Sequence, residues 1–363
     1  MNTLLNILEF VLAFGLLVFL HELGHFLVSR LLKVEVEEFG FGFPPRLVKL
    51  FNLGGTDFTL NLIPFGAFVR PKGENDPNIP GGLASSSPWV RLAVLVAGPA
   101  MNLMTGILVF SLVFLQTGAS DTSRVQVESV SAGSPAETAG LRSGDLISEI
   151  NGTSIGSMDE LSRLVRANLG TEITIKYVRD GQTFEIRTTP RVNPPPNEGS
   201  LGIGMTNPVT PITIGKALPM GALMTLEQGR QLILLPVQLI RGQVSQEEAR
   251  FVGPIGIYSL YQRAQAKDVE TEEQSAAGEE TALPAVNRLW FLAVISVALG
   301  YTNLLPIPAL DGGRIIFVLP EIILRKKIPA QYENMVNLIG FAALLALMMY
   351  ITTMDILNPI VLP

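Results

Sequence analysis

The chain has 363 residues, of which 48% are hydrophobic and only 16% charged, and its formal net charge is −6. Soluble domains carry about 25% charged residues; here the shortfall lies in a few long apolar stretches between normally charged ones, which predicts a membrane protein with a soluble portion. The acidic balance argues against a nucleic-acid-binding surface, and the absence of cysteine excludes disulfides and thiolate metal sites.

The first apolar stretch covers 3–29. It has the length of a signal peptide but lacks a basic n-region and a small-residue cleavage site, so it reads as a retained anchor. Its apolar run, 4–20, leads into His21-Glu22-Leu23-Gly24-His25, which contains both histidines of the chain. Residues four apart share a helix face, so the two imidazoles can grip one metal ion. Glu22 lies beside them, where it can act on water. A carboxylate near hydrocarbon costs roughly 3 kcal/mol unless it is paired or employed.

Residues 34–72 read as a β-hairpin, with alternation over 34–39 and 56–63 and a turn at Gly54-Gly55. The pattern is apolar for a loop, so the hairpin is expected to associate with the membrane. A second span, 92–117, contains Gly98-Pro99-Ala100-Met101-Asn102. Together 1–117 form the first membrane portion.

Residues 118–192 predict a compact α+β domain. Strand-like runs occur at 125–130, 146–151, 172–179 and 183–188, and 158–168 has helical spacing. About 70 residues suffices for one small core. A connector follows over 193–288. Its 209–241 stretch is apolar but broken by Pro211, Pro219 and Pro236. It fits a surface-lying amphipathic helix better than a span. The 268–280 run, with six acids, reads as a disordered loop.

The last portion, 289–363, holds two further spans, 289–305 and 335–357. The first of them runs into Tyr301-Thr302-Asn303-Leu304-Leu305-Pro306-Ile307-Pro308-Ala309-Leu310-Asp311-Gly312-Gly313. Lys33, Arg46, Lys49, Arg70 and Lys72 lie between spans one and two, and Arg314, Arg325, Lys326 and Lys327 follow span three. Both groups are predicted to face the cytoplasm, which puts 118–288 outside. His21 and Asp311 then arrive at one depth on one side. The fold class expected is a polytopic α-helical membrane protein of about four transmembrane helices, with a membrane-associated β-hairpin and an inserted extracytoplasmic α+β domain.

A catalytic zinc takes three protein ligands and leaves a fourth position for water. Without a third histidine, the third ligand should be a carboxylate. Glu9 is about 18 Å from His21 along one helix and is expected to face outer-leaflet water. Asp355 falls near the outer face, and Glu321 reads as interfacial. Asp311 remains, ahead of two glycines that permit close backbone approach. Zinc would bring the pKa of its water to about 7. Glu22 would take the proton as water attacks a carbonyl, then deliver it to the leaving nitrogen. Asn303 or Asn102 could help hold the oxyanion; helix–helix hydrogen bonding is the other reading of both.

HELGH, GPAMN and NLLPIPALDGG in this order, with a PDZ-like outer insertion and the Gly253-Pro254-Ile255-Gly256-Ile257 string, resemble the site-2 protease family of intramembrane zinc metalloproteases. The single PDZ-like insertion at 118–192 looks like that of bacterial envelope-stress members. The resemblance implies Zn2+ held by His21, His25 and Asp311, Glu22 as catalytic base, and a 34–72 hairpin that helps hold substrate. It implies regulated intramembrane proteolysis of single-pass membrane proteins, with anti-sigma factors or signal-peptide remnants as substrates. The expected partners are membrane lipid and a C-terminal peptide at the PDZ-like domain; exclusion of substrates with large outer domains and a passive cap are the other readings of that domain. The expected location is the bacterial inner membrane, since no organelle transit segment precedes the first span, with the active site near the cytoplasmic side on the Lys and Arg pattern. Some relatives carry His where this chain has Arg314. Two other readings compete: a non-catalytic PDZ scaffold, which predicts a degenerate site, and a metal transporter, which predicts ionisable residues spread along a path.

Overall fold

The computed structural model describes residues 3–196, 198–244, 250, 252–276 and 285–358. The chain divides into two units, Met1–Gln116 with Thr213–Pro363, and Thr117–Ile212.

Helix α1 (Thr3–Leu31) is followed by strands β1 (Val36–Leu53) and β2 (Thr56–Pro71) and by helix α2 (Pro88–Thr117). The β1–β2 turn is two residues long, and Gly54 and Gly55 have φ of 59° and 89°. Positive φ at both central residues suits the right-handed twist of a tight hairpin. The pairing is more elaborate than a hairpin, however. Both strands bend, and the 36–41 segment has partners on two sides: Phe39 faces Phe58 on one and Val69 on the other. The 66–71 segment therefore forms an edge of its own, distant in register from the Gly54-Gly55 turn. Glu38, buried in this sheet, is met by Arg46 at 2.6 Å, Arg70 at 2.6 Å and the Thr59 hydroxyl at 2.8 Å. A buried charge is tolerated when it is paired in this way. Toward the turn, Leu47, Val48, Leu50, Phe51 and Leu53 are exposed.

The second unit contains β3 (Ala119–Ser120), β4 (Val125–Val130), α3 (Pro135–Thr138), β5 (Leu146–Ile150), β6 (Thr153–Ser154), α4 (Met158–Ala167), β7 (Ile173–Arg179), β8 (Gln182–Thr188), β9 (Ile203–Thr206) and β10 (Val209–Thr210). The main sheet runs β8-β7-β5-β4-β9, and β6 pairs with β5. Alternate residues Val125, Val127, Ile173 and Ile175 face inward, and Leu161 and Val165 of α4 cover them. Ser134 and Ser157 cap their helices by accepting from Glu137 N and Glu160 N. Each glutamate reaches back to the amide of the residue before the cap, Gly133 at 2.6 Å and Gly156 at 3.0 Å. Buried Asp145 pairs with Arg179 at 2.6 Å. The 192 boundary read from the sequence falls short, because β9 adds to β4 and β10 pairs with β3.

The chain then forms α5 (Ile214–Ile240), α6 (Pro254–Ala276), α7 (Asn287–Leu304), α8 (Asp311–Leu324) and α9 (Ala330–Leu357). Among the described residues, three helices are long and apolar enough to cross a membrane: Leu4–Leu31, Pro88–Thr117 and Ala330–Leu357. The expectation of disorder over 268–280 is overturned as far as Ala276, where α6 ends; 277–280 lie outside the described residues. Within this helix, buried Asp268 accepts from Asn287 N at 2.7 Å and Arg288 N at 3.1 Å, and Arg288 pairs with it at 2.9 Å, so the segment is tied to the start of α7. Glu9 is likewise engaged rather than facing water alone. It accepts from the Tyr261 hydroxyl at 2.8 Å and Gln265 at 3.0 Å, and it pairs with Arg288 at 2.9 Å. Asp355 is buried and accepts from Gly256 N at 2.9 Å. Glu321 pairs with Arg91 at 2.9 Å, which ties α8 to α2.

Candidate metal centre

Helix α1 carries His21 and His25 on one face, and both are buried. Two glycines let α2 approach that face. A Cβ at Gly24 would lie 2.9 Å from Met101 Cβ, and one at Gly98 would lie 2.7 Å from His21 Nε2. The glycines of both sequence strings thus serve one crossing: no larger residue leaves room for the rings and the backbone behind them.

Asp311, the first residue of α8, meets the two imidazoles. His21 Nε2 lies 3.1 Å from Asp311 Oδ2, His25 Nε2 lies 3.5 Å from the same oxygen, and the two Nε2 atoms are 3.2 Å apart. A tetrahedral ion with bonds of about 2.0–2.1 Å holds its ligand atoms about 3.3 Å from one another. The three donors therefore match a zinc-sized cation in type and spacing, and all three lie within 4.8 Å of each other. The outer ring nitrogens fit as well. His25 Nδ1 donates to the Val94 carbonyl at 2.7 Å, which leaves the Nε2 lone pair free. Behind His21 Nδ1, at 3.2 Å, sits the side-chain amide nitrogen of buried Asn102, whose Oδ1 has no hydrogen-bond partner among the described residues. Turned toward Nδ1–H, that oxygen would fix the same metal-binding tautomer.

A cavity of about 430 Å³ opens in front of these groups, lined among others by Glu22, Phe68, Val69, Asn303, Arg314 and Asn337. Glu22 Oε2 accepts the Val69 N–H at 3.0 Å. Val69 thus has Phe39 on one side and Glu22 on the other, so the 66–71 edge of the sheet lies along the cavity. The Gly54-Gly55 turn closes the sheet elsewhere. The two asparagines weighed for the oxyanion are separated: Asn303 faces the cavity, and Asn102 stands behind His21. Arg314 pairs with Glu74 and donates to Asn75 Oδ1 at 3.0 Å, which anchors the 72–87 loop to α8. Sequence reasoning assigned nothing to Val69 or Asn337. Their signal is tertiary, since a backbone amide and a lone polar residue on an apolar helix have no diagnostic spacing.

The model of peptidase family M50 matches residues 9–347. A Clostridium perfringens protein whose name places it among the zinc metalloproteases is 32% identical over 352 residues, 96% of this chain and 98% of that protein. The regulator of sigma-W protease RasP of Bacillus subtilis is 27% identical, over 97% of this chain and 98% of its own length. Among solved structures, the PDZ domain of an SdrC-like protein from Listeria monocytogenes is 26% identical over 23% of this chain and 87% of that one, with a TM-score of 0.21.

Proposed function

The chain belongs to peptidase family M50 and is an intramembrane zinc metalloprotease of the site-2 type; on that premise we propose that His21, His25 and Asp311 hold its zinc and that Glu22 is its general base. The observation that carries the assignment is the convergence of the three ligand atoms within 4.8 Å. When bound, the zinc supplies Lewis acidity, which acidifies water and polarises the scissile carbonyl.

The chain's own residues do the rest. Glu22 takes a proton from the attacking water and returns it to the leaving nitrogen. Asn303, on the cavity wall, donates to the oxygen that gains charge. A transmembrane helix must unwind before its carbonyls can be attacked. The 66–71 edge, paired on its other side with 36–41, supports a reading in which the unwound segment adds as a strand there and takes the Val69 N–H from Glu22. Such a strand takes its hydrogen bonds from β2, so cleavage favours substrates whose spans contain helix-weakening residues.

Membrane topology is part of the proposal. With α7 counted as a span, four helices cross, and the Lys and Arg pattern puts the metal centre near the cytoplasmic face of a bacterial inner membrane. The second unit is then extracytoplasmic. It is read as PDZ-like, with a groove of about 110 Å³ between α4 and the edge strand β9, lined by Leu161, Val165, Leu201, Ile203 and Met205. A C-terminal peptide is the ligand such a groove fits. Single-pass membrane proteins are the proposed substrates, and the sigma-W role in the name of the Bacillus subtilis relative supports anti-sigma factors among them.

The decisive test is Glu22→Gln. Cleavage of a reconstituted single-pass substrate should fall below detection while zinc content stays near one per chain. Activity in this variant, or zinc lost with it, would refute the assignment.

A further inference from the structure

We propose that Asn337 is a positioning residue for the metal centre, acting through the strained turn that delivers Asp311. The proposal rests on the reading of Asp311 as the third ligand.

Helix α7 ends at Leu304, and α8 begins at Asp311. Between them, Leu310 N donates to the Ile307 carbonyl at 3.2 Å, closing a four-residue turn with Pro308 second and Ala309 third. Ala309 has φ of 73°. Proline second and a positive φ third is the type II pattern, in which the third position favours glycine because a Cβ crowds the backbone. An alanine there would be relieved by turning over the Pro308–Ala309 peptide, which converts the turn to type I. Something outside the turn must oppose that rotation.

Helix α9 does so at two points, one helical turn apart. The Ala309 N–H donates to Asn337 Oδ1 at 3.2 Å. The other end of the same peptide rests on Gly340, where an added Cβ would come within 2.9 Å of the Pro308 carbonyl carbon and 3.0 Å of its oxygen. Both groups of the peptide whose orientation separates the two turn types are thus seated on α9. Immediately downstream, the Leu310 carbonyl accepts Gly313 N at 3.0 Å and Arg314 N at 3.3 Å, which starts α8 with Asp311 in its first turn. Rotation at 308–309 would re-aim that helix start, and with it the carboxylate that lies 3.1 Å from His21 Nε2.

The full-length protein in detergent provides the test, read as zinc affinity by chelator competition and as the visible absorption spectrum of the Co2+-loaded protein. Asn337→Ala should weaken zinc binding roughly tenfold or more, as loss of a group that orients a ligand does, and should alter the cobalt spectrum. Ala309→Gly, which takes a positive φ without strain, should leave affinity unchanged alone and restore both readouts in the double variant. Wild-type affinity and spectrum in Asn337→Ala would overturn the proposal, and so would a loss that Ala309→Gly does not repair. Should Asn337→Ala fail to fold, a folded, zinc-binding double variant supports the proposal and an unfolded one overturns it. Asp311→Ala separates the two readings: undiminished zinc affinity there refutes the ligand assignment itself.

Discussion

Asn102 lies directly behind His21, with its side-chain amide 3.2 Å from Nδ1 on the far side of the ring from Asp311. The amide sits on α2, whose Asn102 carbonyl accepts the Ser296 hydroxyl of α7 at 2.9 Å. One residue thus links the ring that faces the cavity to the helix that leads toward Asp311. With its oxygen turned to the ring Asn102 would accept from Nδ1–H, and Asn102→Ala would then leave that buried imidazole N–H without an acceptor and free the ring to change tautomer. Zinc affinity should fall about 10- to 100-fold, measured by chelator competition, while the cleavage rate at saturating zinc recovers in large part. A rate that stays low at saturating zinc would assign Asn102 to the reaction instead.

Gly98 makes a sharper prediction. An alanine methyl there would meet His25 Nε2 and come within 2.7 Å of His21 Nε2. The intruded atoms are the proposed ligand atoms, on rings held from behind, so little relaxation is available. Gly98→Ala should purify with less than stoichiometric zinc and lose nearly all activity, yet keep its helical circular dichroism. Full metal occupancy in this variant would show that the rings do not converge as described.

Asp268 predicts a response to acid. Burial alone would raise its carboxyl, but the Arg288 and Asn287 backbone amides and the Arg288 guanidinium outweigh burial and hold it below the ordinary carboxylate value. A depressed folded value means that its stabilisation is present above the unfolded value, about 3.9, and is lost as pH falls through the folded one. The carboxylate also caps the exposed amides at the start of α7. Asp268→Asn should lower the thermal midpoint at pH 7 by the equivalent of about 1–3 kcal/mol. The gap from wild type should narrow as acid protonates the native residue. A gap independent of pH would mean that the charge contributes nothing.

The boundary of the inserted unit predicts which deletion is tolerated. Ala119 pairs with Thr210 and Ser120 with Val209, so the two ends of the unit meet side by side. Excising 118–211 removes whole strands and leaves neighbouring ends to be joined. Excising 118–192 strips β9 of β4 and leaves Ile203 and Met205 unpaired and exposed, an invitation to aggregation. The first deletion should yield monodisperse, zinc-loaded protein, and the second should aggregate during size-exclusion chromatography. Equal behaviour of the two would contradict the observed strand order.

The histidine pair and its glutamate were legible because their relation is local. An i, i+4 spacing on one helix fixes which side chains share a face, whatever surrounds it. The long apolar runs of α1, α2 and α9 were legible for the same reason, since burial in lipid demands length and composition and no particular partner. Four strands and the longer helix of the inserted unit followed from short strand-like runs and helical spacing. Asp311 could be reached by eliminating other carboxylates, but its 3.1 Å approach to His21 joins residues far apart in the chain, which no spacing encodes. Acidic residues after 268 read as disorder because composition counts charges and cannot see that Asp268 is spent on the start of another helix. The 66–71 edge escaped for a related reason: alternation tells which face of a strand is apolar, not which neighbour it pairs with or which side it leaves open. Sequence determined the chemistry available here, through residue types and short periodic spacings. Tertiary structure decided where that chemistry is assembled, because contacts between distant segments depend on shape, on where a missing Cβ lets backbones approach, and on which buried polar group still lacks a partner.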